Sequence, residues 1–282
     1  MLSAKAAGAP AEVGIPGAVA VELVHNFSLL HDDIIDGDAE RRHRPTVWAV
    51  FSQGEAIIVG DALHALAFDV LLSGATEAGG AASGAAQAAA RLASATAAMI
   101  AGQSRDMAFN ERMDVTPEQC LAMEADKTGA LLGYASSVGA VLAGADVEVI
   151  AGLEGYGSKL GLAFQAADDL LGIWGDPAVT GKPVGNDLRE RKKSFPVVVA
   201  LSQQSAASEE LAEILSQDAT LSEAAITRAT QLVEQAGGKE LTSAAAHEYL
   251  NQALACMQAA PIAASAVEEL TNLARFVVAR DH

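Results

Sequence analysis

The feature that most constrains this chain is a succession of long stretches whose apolar residues recur every three to four positions. From Val19 to Leu30 the sequence contains neither proline nor glycine and runs directly into Asp32. The same period returns over 85–109, 117–143, 147–172, 195–203 and 241–258. That spacing places side chains on one face of an α-helix. Thr116-Pro117-Glu118 marks a helix start, with threonine as cap and proline in the first turn. Strand signals are nearly absent, with no Asn-Gly turn and no sustained alternation. Only 4% of residues are aromatic while 51% are hydrophobic, and alanine is abundant throughout. Such a core is built from small and aliphatic side chains, and alanine favours helix over strand. Gly/Ala/Ser-rich 73–84 reads as a loop, as does 175–185 with its Gly-Asp-Pro and Gly-Lys-Pro. Nothing in the composition marks a linker. The expected fold is all-α, one large helical bundle over residues 1–282 with its site in a central cavity between facing helices.

Charge narrows the partners. A net charge of −18 and a pI of about 4.6 repel nucleic acid and anionic lipid, so neither is an expected partner. Cys120 and Cys256 stand far apart and fit a reduced, cytoplasmic protein in which both pack as small hydrophobes. The first residues lack the basic stretch and apolar run of a signal peptide. The most apolar window, Ala56 to Leu72, contains Asp61, His64 and Asp69. A buried helix is expected there, and no integral membrane segment.

Two stretches resemble each other: His31-Asp32-Asp33-Ile34-Ile35-Asp36-Gly37-Asp38 and Ala167-Asp168-Asp169-Leu170-Leu171-Gly172. Each follows a long apolar helix and ends at glycine. At about 100° per residue, Asp32 and Asp36 share one face a turn apart. Carboxylates near a helix C-terminus oppose its dipole, and like charges a turn apart repel. A divalent cation offsets both costs. Oxygen-only ligands without paired His or Cys suit Mg²⁺, which binds through a few carboxylates together with substrate phosphates.

The basic residues point the same way. Eight of the 18 Lys and Arg lie in segments 41–44 and 182–193, where an even spread would place about one. They are Arg41, Arg42, Arg44, Lys182, Arg189, Arg191, Lys192 and Lys193. Each group follows an acidic stretch after a short loop. Metal-holding carboxylates beside guanidinium and ammonium groups are what a diphosphate requires. A salt-bridged surface loop accounts for Arg189 and Arg191 more readily than for Arg41 and Arg42.

Asp32-Asp33-x-x-Asp36 followed by Arg41-Arg42-x-x-Pro45-Thr46 resembles the first aspartate-rich motif of trans-isoprenyl (polyprenyl) diphosphate synthases. Phe164-Gln165-x-x-Asp168-Asp169, Gly175-Asp176, Gly181-Lys182, Gly185, Asp187-Leu188 and Lys192-x-Ser194-x-Pro196 resemble the second motif and its downstream block. Gly60-Asp61, Gly102-Gln103-x-x-Asp106 and Lys127-Thr128 fit the signatures between them. The resemblance implies a Mg²⁺-dependent prenyltransferase that condenses isopentenyl diphosphate with dimethylallyl, geranyl or farnesyl diphosphate. By that likeness Asp32, Asp33, Asp36, Asp168 and Asp169 hold metal. Arg41, Lys127, Lys182 and Lys192 bind the allylic diphosphate, Thr128 and Gln165 direct oxygen dipoles at the allylic cation, and His25 and Arg42 contact isopentenyl diphosphate. Phe27 and Ser28, one aromatic beside one small residue upstream of the first motif, resemble the enzymes that stop near C20, as geranylgeranyl diphosphate synthases do. A homodimer is implied as well, because 85–109 and 117–143 are apolar over more than one face.

Two departures stand out. Gly172 lies where the family pattern has a third aspartate. The family's N-terminal Gly-Lys-x-x-Arg-Pro block has no counterpart, and Met1 to Ala6 resembles the interior of the helix that follows it. The expectation is a chain lacking the N-terminal helical segment. A class I terpene cyclase would carry an Asn/Asp-Ser/Thr-Glu pattern near 165–176, which is absent, and a non-catalytic partner subunit would be expected to lose the first motif, which is intact.

Overall fold

The apolar periods become helices in a computed structural model that describes residues 1–78, 82–180, 183–217 and 219–279. In chain order the helices are α1 (Leu2–Ala6), α2 (Ile15–Asp36), α3 (Val47–Val50), α4 (Gln53–Glu77), α5 (Ala82–Asn110), α6 (Pro117–Glu124), α7 (Ala130–Leu142), α8 (Val147–Trp174), α9 (Pro177–Thr180), α10 (Asn186–Arg189), α11 (Phe195–Ser202), α12 (Ala206–Leu215), α13 (Glu223–Gln235), α14 (Gly238–Gln258) and α15 (Ala264–Val278). Thr116 caps α6 as its sequence requires. Its hydroxyl accepts the Gln119 N–H at 3.3 Å while its own N–H donates to Gln119 Oε1 at 3.2 Å.

The chain folds into two compact units that interleave along the sequence. One comprises 1–96, 133–155 and 256–270, the other 97–132, 156–255 and 271–282. In the first, α2 packs along α4, with Val24, Ala67, Leu71 and Ala75 fully enclosed. In the second, α11 sits against α6 through Phe109, Cys120, Met123, Phe195 and Val198. Burying each large apolar side chain stabilises its unit by about 1.5–3 kcal/mol.

Three expectations need correction. Residues 73–84 are not one loop: α4 continues to Glu77 and α5 begins at Ala82, because the alanines and serines there sustain helix despite the glycines. A two-stranded hairpin, β1 (Glu40–Arg41) with β2 (Arg44–Pro45), exists without any Asn-Gly turn. The apolar 56–72 window is buried on one side only. Helices 11–36 and 53–75 are long and apolar enough to cross a membrane, and α4 encloses the side with Ala56, Ala67 and Leu71, leaving Ile57, Ile58, Leu66 and Leu72 exposed.

Candidate active site

Helix α2 ends where Gly37 turns left-handed (φ 70°), with the Asp38 N–H returning to Asp33 O at 2.9 Å and the Gly37 N–H to Ile34 O at 3.3 Å. That ending leaves Asp32 and Asp36 on one face of the last turns. Asp33, one residue further round the helix, turns inward: it is buried, and its Oδ1 accepts Arg41 Nε–H at 2.7 Å. The chain between them is held by the Asp38 carbonyl, which accepts the Thr46 hydroxyl (2.9 Å) and the Trp48 indole N–H (2.8 Å).

The hairpin that follows turns through Arg42 (φ 52°) and His43 (φ 61°), both left-handed. Two such residues in succession make the turn that suits a tight hairpin, usually built from Asn and Gly. His25, seven residues before Asp32 and on the same helix face, lies near this turn. Partial burial lowers its pKa, with Glu22 pulling the other way and the positive charges of Arg42 and Arg41 adding to the fall. His25, Arg41 and Arg42 therefore share one neighbourhood. Gly60 gives His31 its place, since a Cβ there would overlap His31 Nε2. Phe27 is buried, with His31 edge-on at 4.8 Å and His64 at 5.0 Å between ring centres. The Ser28 hydroxyl donates to His25 O at 2.9 Å.

In the second unit, Lys127 and Thr128 occupy a π-turn, Ala125–Gly129, inserted between α6 and α7. Such turns are often found at functional positions. Two helices press on it through glycine: a Cβ at Gly102 would overlap Lys127 N, and one at Gly161 would come 2.7 Å from Gly129 Cα. One turn beyond Gly102, Asp106 ion-pairs with Lys127 Nζ. The Thr128 hydroxyl donates to Gln165 Oε1 at 2.9 Å, and Gln165 Nε2 donates to Asp169 Oδ1 at 2.8 Å. Asp169 Oδ2 accepts the Phe195 N–H at 2.7 Å and so holds the start of α11.

Asp168 is exposed, whereas Asp169 is buried. Burial drives the Asp169 carboxyl well above the usual carboxylate range, and the charges of Glu124 and Asp187 push it further. Glu124, equally enclosed, is pushed up to about 7 by burial, opposed by the hydrogen bond from the Cys120 thiol. The Glu124 Oε1 accepts the Cys120 thiol at 3.4 Å, whereas its Oε2 is buried with no hydrogen-bond partner. Nothing in the sequence singled out Glu124; its only signal was an acid among the apolar residues of α6.

The second basic segment is largely engaged within the protein. Arg189 makes a bidentate pair with Glu223, and Arg191, left-handed at φ 56°, donates to Ala219 O at 2.6 Å. Lys193 is buried and donates to Asn110 O and Arg191 O. Lys192 lies 3.2 Å from Glu190. Lys182 lies outside the described residues.

Among the described residues no three His, Cys, Asp or Glu side chains converge on a common metal position. The donors at each helix end nonetheless fit Mg²⁺. Asp32 and Asp36 on α2, and Asp168 on α8, offer only carboxylate oxygen, and Mg²⁺ takes one or two carboxylates and fills its octahedron with water and phosphate oxygen.

Known proteins resemble this chain over most of its length. The family described as polyprenyl synthetase matches residues 1–233. A (2E,6E)-farnesyl diphosphate synthase of Mycobacterium tuberculosis is 44% identical over 282 residues, 99% of this chain and 77% of the relative. A geranylgeranyl diphosphate synthase of the same organism is 47% identical over 259 residues, 91% of this chain and 73% of the relative. The crystal structure of a polyprenyl synthetase from Streptomyces coelicolor A3(2) superimposes with a TM-score of 0.91 at 52% identity, covering 98% of this chain and 82% of that one.

Proposed function

The chain belongs to the polyprenyl synthetase family and is an isoprenyl diphosphate synthase, and from that premise we propose that it uses Mg²⁺ to extend an allylic diphosphate with isopentenyl diphosphate and stops near C20. The observation that carries the reading is a repeated unit: aspartates near the end of a long apolar helix, followed in sequence by a basic segment. Bound Mg²⁺ would offset charge on the diphosphate. Asp32 and Asp36 would hold it at the end of α2, and Asp168 would hold it at the end of α8. Asp33 and Asp169, enclosed and partnered, orient Arg41 and Gln165 instead.

Arg41, Lys127, Lys182 and Lys192 bind the diphosphate oxygens, with Asp106 aiming the Lys127 ammonium. The allylic C–O bond breaks with its electron pair leaving on diphosphate. Thr128 and Gln165 are neutral, so their oxygen dipoles stabilise the cation without trapping it. The isopentenyl double bond, held through His25 and Arg42 contacts to its own diphosphate, forms the new C–C bond. The departing diphosphate takes the proton that restores the alkene.

The length assignment rests on Phe27, braced by His31 and His64 into a fixed floor, beside the small Ser28. Mass spectrometry of products from isopentenyl diphosphate with C5, C10 and C15 primers tests it. Geranylgeranyl diphosphate should dominate, and Phe27→Ala should lengthen products to C25 or beyond. The same products from wild type and a folded Phe27→Ala would move the floor elsewhere. Farnesyl diphosphate as the wild-type end product would refute C20.

We also assign a cytoplasmic homodimer. Its support is the exposed apolar face of α4, where Ile58 is 64% exposed and Leu72 49%, with Asp61 on the same helix making lipid a poor cover. Light scattering at micromolar concentration should give twice the chain mass, and Ile58→Glu should halve it. A monomeric wild type, or a chain that sediments with vesicles, refutes the pairing.

A further inference from the structure

Glycine at 172 breaks the likeness of the two acidic stretches, because the residue matching Asp36 has no side chain. The structure fills the gap from elsewhere. A Cβ built on Gly172 would overlap Asp187 Oδ2 and lie 2.7 Å from its Oδ1, so the Asp187 carboxylate occupies the space in which a side chain at 172 would begin. Gly172 is one turn beyond Asp168 on the same face of α8. The face therefore carries carboxylates one turn apart after all, as Asp32 and Asp36 do on α2.

This placement is fixed from both sides. The Gly185 N–H donates to Ile173 O at 3.0 Å, next to Gly172, and Gly185 can do so because it is left-handed at φ 72°. Leu188, adjacent to Asp187, is fully enclosed with Ile173 in the core that α10, α11 and α13 share. The Lys192 N–H closes back on Asp187 O at 2.8 Å. Asp187 also stands near enough to Asp169 to raise its pKa.

We propose that the Asp187 carboxylate supplies, beside Asp168, the second ligand for the divalent cation, replacing the side chain that Gly172 lacks. The inference rests on the metal-binding reading of Asp168. It explains why glycine is needed: any side chain at 172 would compete with Asp187 for one space.

The test is titration of the full-length chain with Mg²⁺, and with Mn²⁺ followed by electron paramagnetic resonance, in the presence of inorganic diphosphate. Asp187→Asn should weaken cation binding about tenfold or more, with helical circular dichroism unchanged. Gly172→Asp alone should destabilise the fold. The double change Gly172→Asp/Asp187→Gly returns a carboxylate to the α8 face and should recover wild-type binding to within about threefold; it also carries the test should Asp187→Asn fold poorly. Wild-type binding by Asp187→Asn, or a double variant as weak as the single, overturns the proposal. Asp168→Asn is the reference: if it too binds cation like wild type, the metal reading of this face fails; if it alone loses binding, only the role of Asp187 does.

Discussion

The two acidic helix ends solve the same problem with different resources. Each begins with an outward aspartate, Asp32 or Asp168, followed by an enclosed one, Asp33 or Asp169. At the end of α2 the enclosed Asp33 meets a cation, Arg41, and the outward face is completed from the same helix by Asp36. At the end of α8 the enclosed Asp169 meets an acid, Glu124, and the face is completed by a carboxylate nineteen residues after Asp168 in sequence. The α2 end is thus assembled by local sequence, whereas the α8 end depends on tertiary contacts. A site whose ligands come from one helix turn is fixed once the helix forms. A site that borrows a ligand is only as well formed as the loop delivering it.

The largest effect should come from removing the outward aspartate at the α8 end, where the helix itself supplies no second one. Asp168→Ala should lower kcat by about 10²-fold or more, the scale of losing a group that stabilises transition-state charge. Asp36→Ala should cost less, because Asp32 remains on the same helix. Steady-state kinetics measure both variants. More than a tenth of wild-type activity in Asp168→Ala would break the comparison at its root.

The two ends are legible in the sequence to different depths. The helices carrying them were legible because long apolar periods leave few alternatives. The pairing of Asp33 with Arg41 was legible as spacing, whereas behind α8 Arg189 meets Glu223, and Arg191 and Lys193 meet backbone carbonyls. Which aspartate faces inward was not, because Asp33 and Asp169 differ from their neighbours only in what they meet across the fold. Asp187 standing over Gly172 joins residues with no periodic relation, and Glu124 gave no signal beyond its charge. The exposed side of α4 was misread for a related reason: a helix apolar all round shows the need for a cover but not whether the same chain provides it. The hairpin was missed because Arg42 and His43 lack the turn chemistry that normally announces one.

A smaller effect separates the enclosed aspartates by pH. Glu124 is raised from 4.5 to about 7 in the folded protein. Between those values the folded state holds a proton that the unfolded chain has released, so stability falls as pH rises through that window and is flat above it. Its full range is on the order of 1–3 kcal/mol. Glu124→Gln keeps the size and shape of the side chain without a proton to lose. Its melting temperature should change less than that of wild type between pH 5 and 7.5, and at the upper end it should be the more stable protein. At the other end, Arg41→Lys should leave the wild-type slope over that window in place. Parallel slopes for wild type and Glu124→Gln would show that the proton resides elsewhere.

The smallest effect concerns the strain each basic segment carries. Left-handed backbone costs a non-glycine residue about 1–2 kcal/mol, and the hairpin holds two such residues, Arg42 and His43, against one, Arg191, behind α8. Glycine removes that cost but loses about 0.5–1 kcal/mol through the freedom of the unfolded chain. His43→Gly should therefore gain a net of about 0.5–1 kcal/mol, a rise of about 1–4 °C in melting temperature. Arg191→Gly should gain nothing, because the lost hydrogen bond from its guanidinium to Ala219 O offsets the relief. The asymmetry carries a functional meaning. At Arg191 the backbone strain is balanced by a contact of the side chain within the fold, whereas at the hairpin it holds Arg42 in the neighbourhood of His25, where the proposed reaction needs a cation. A more stable His43→Gly with unchanged binding of isopentenyl diphosphate would place the functional demand on Arg42 alone. Equal gains from His43→Gly and Arg191→Gly would show that the two strained turns are alike and that the strain at the hairpin serves no separate purpose.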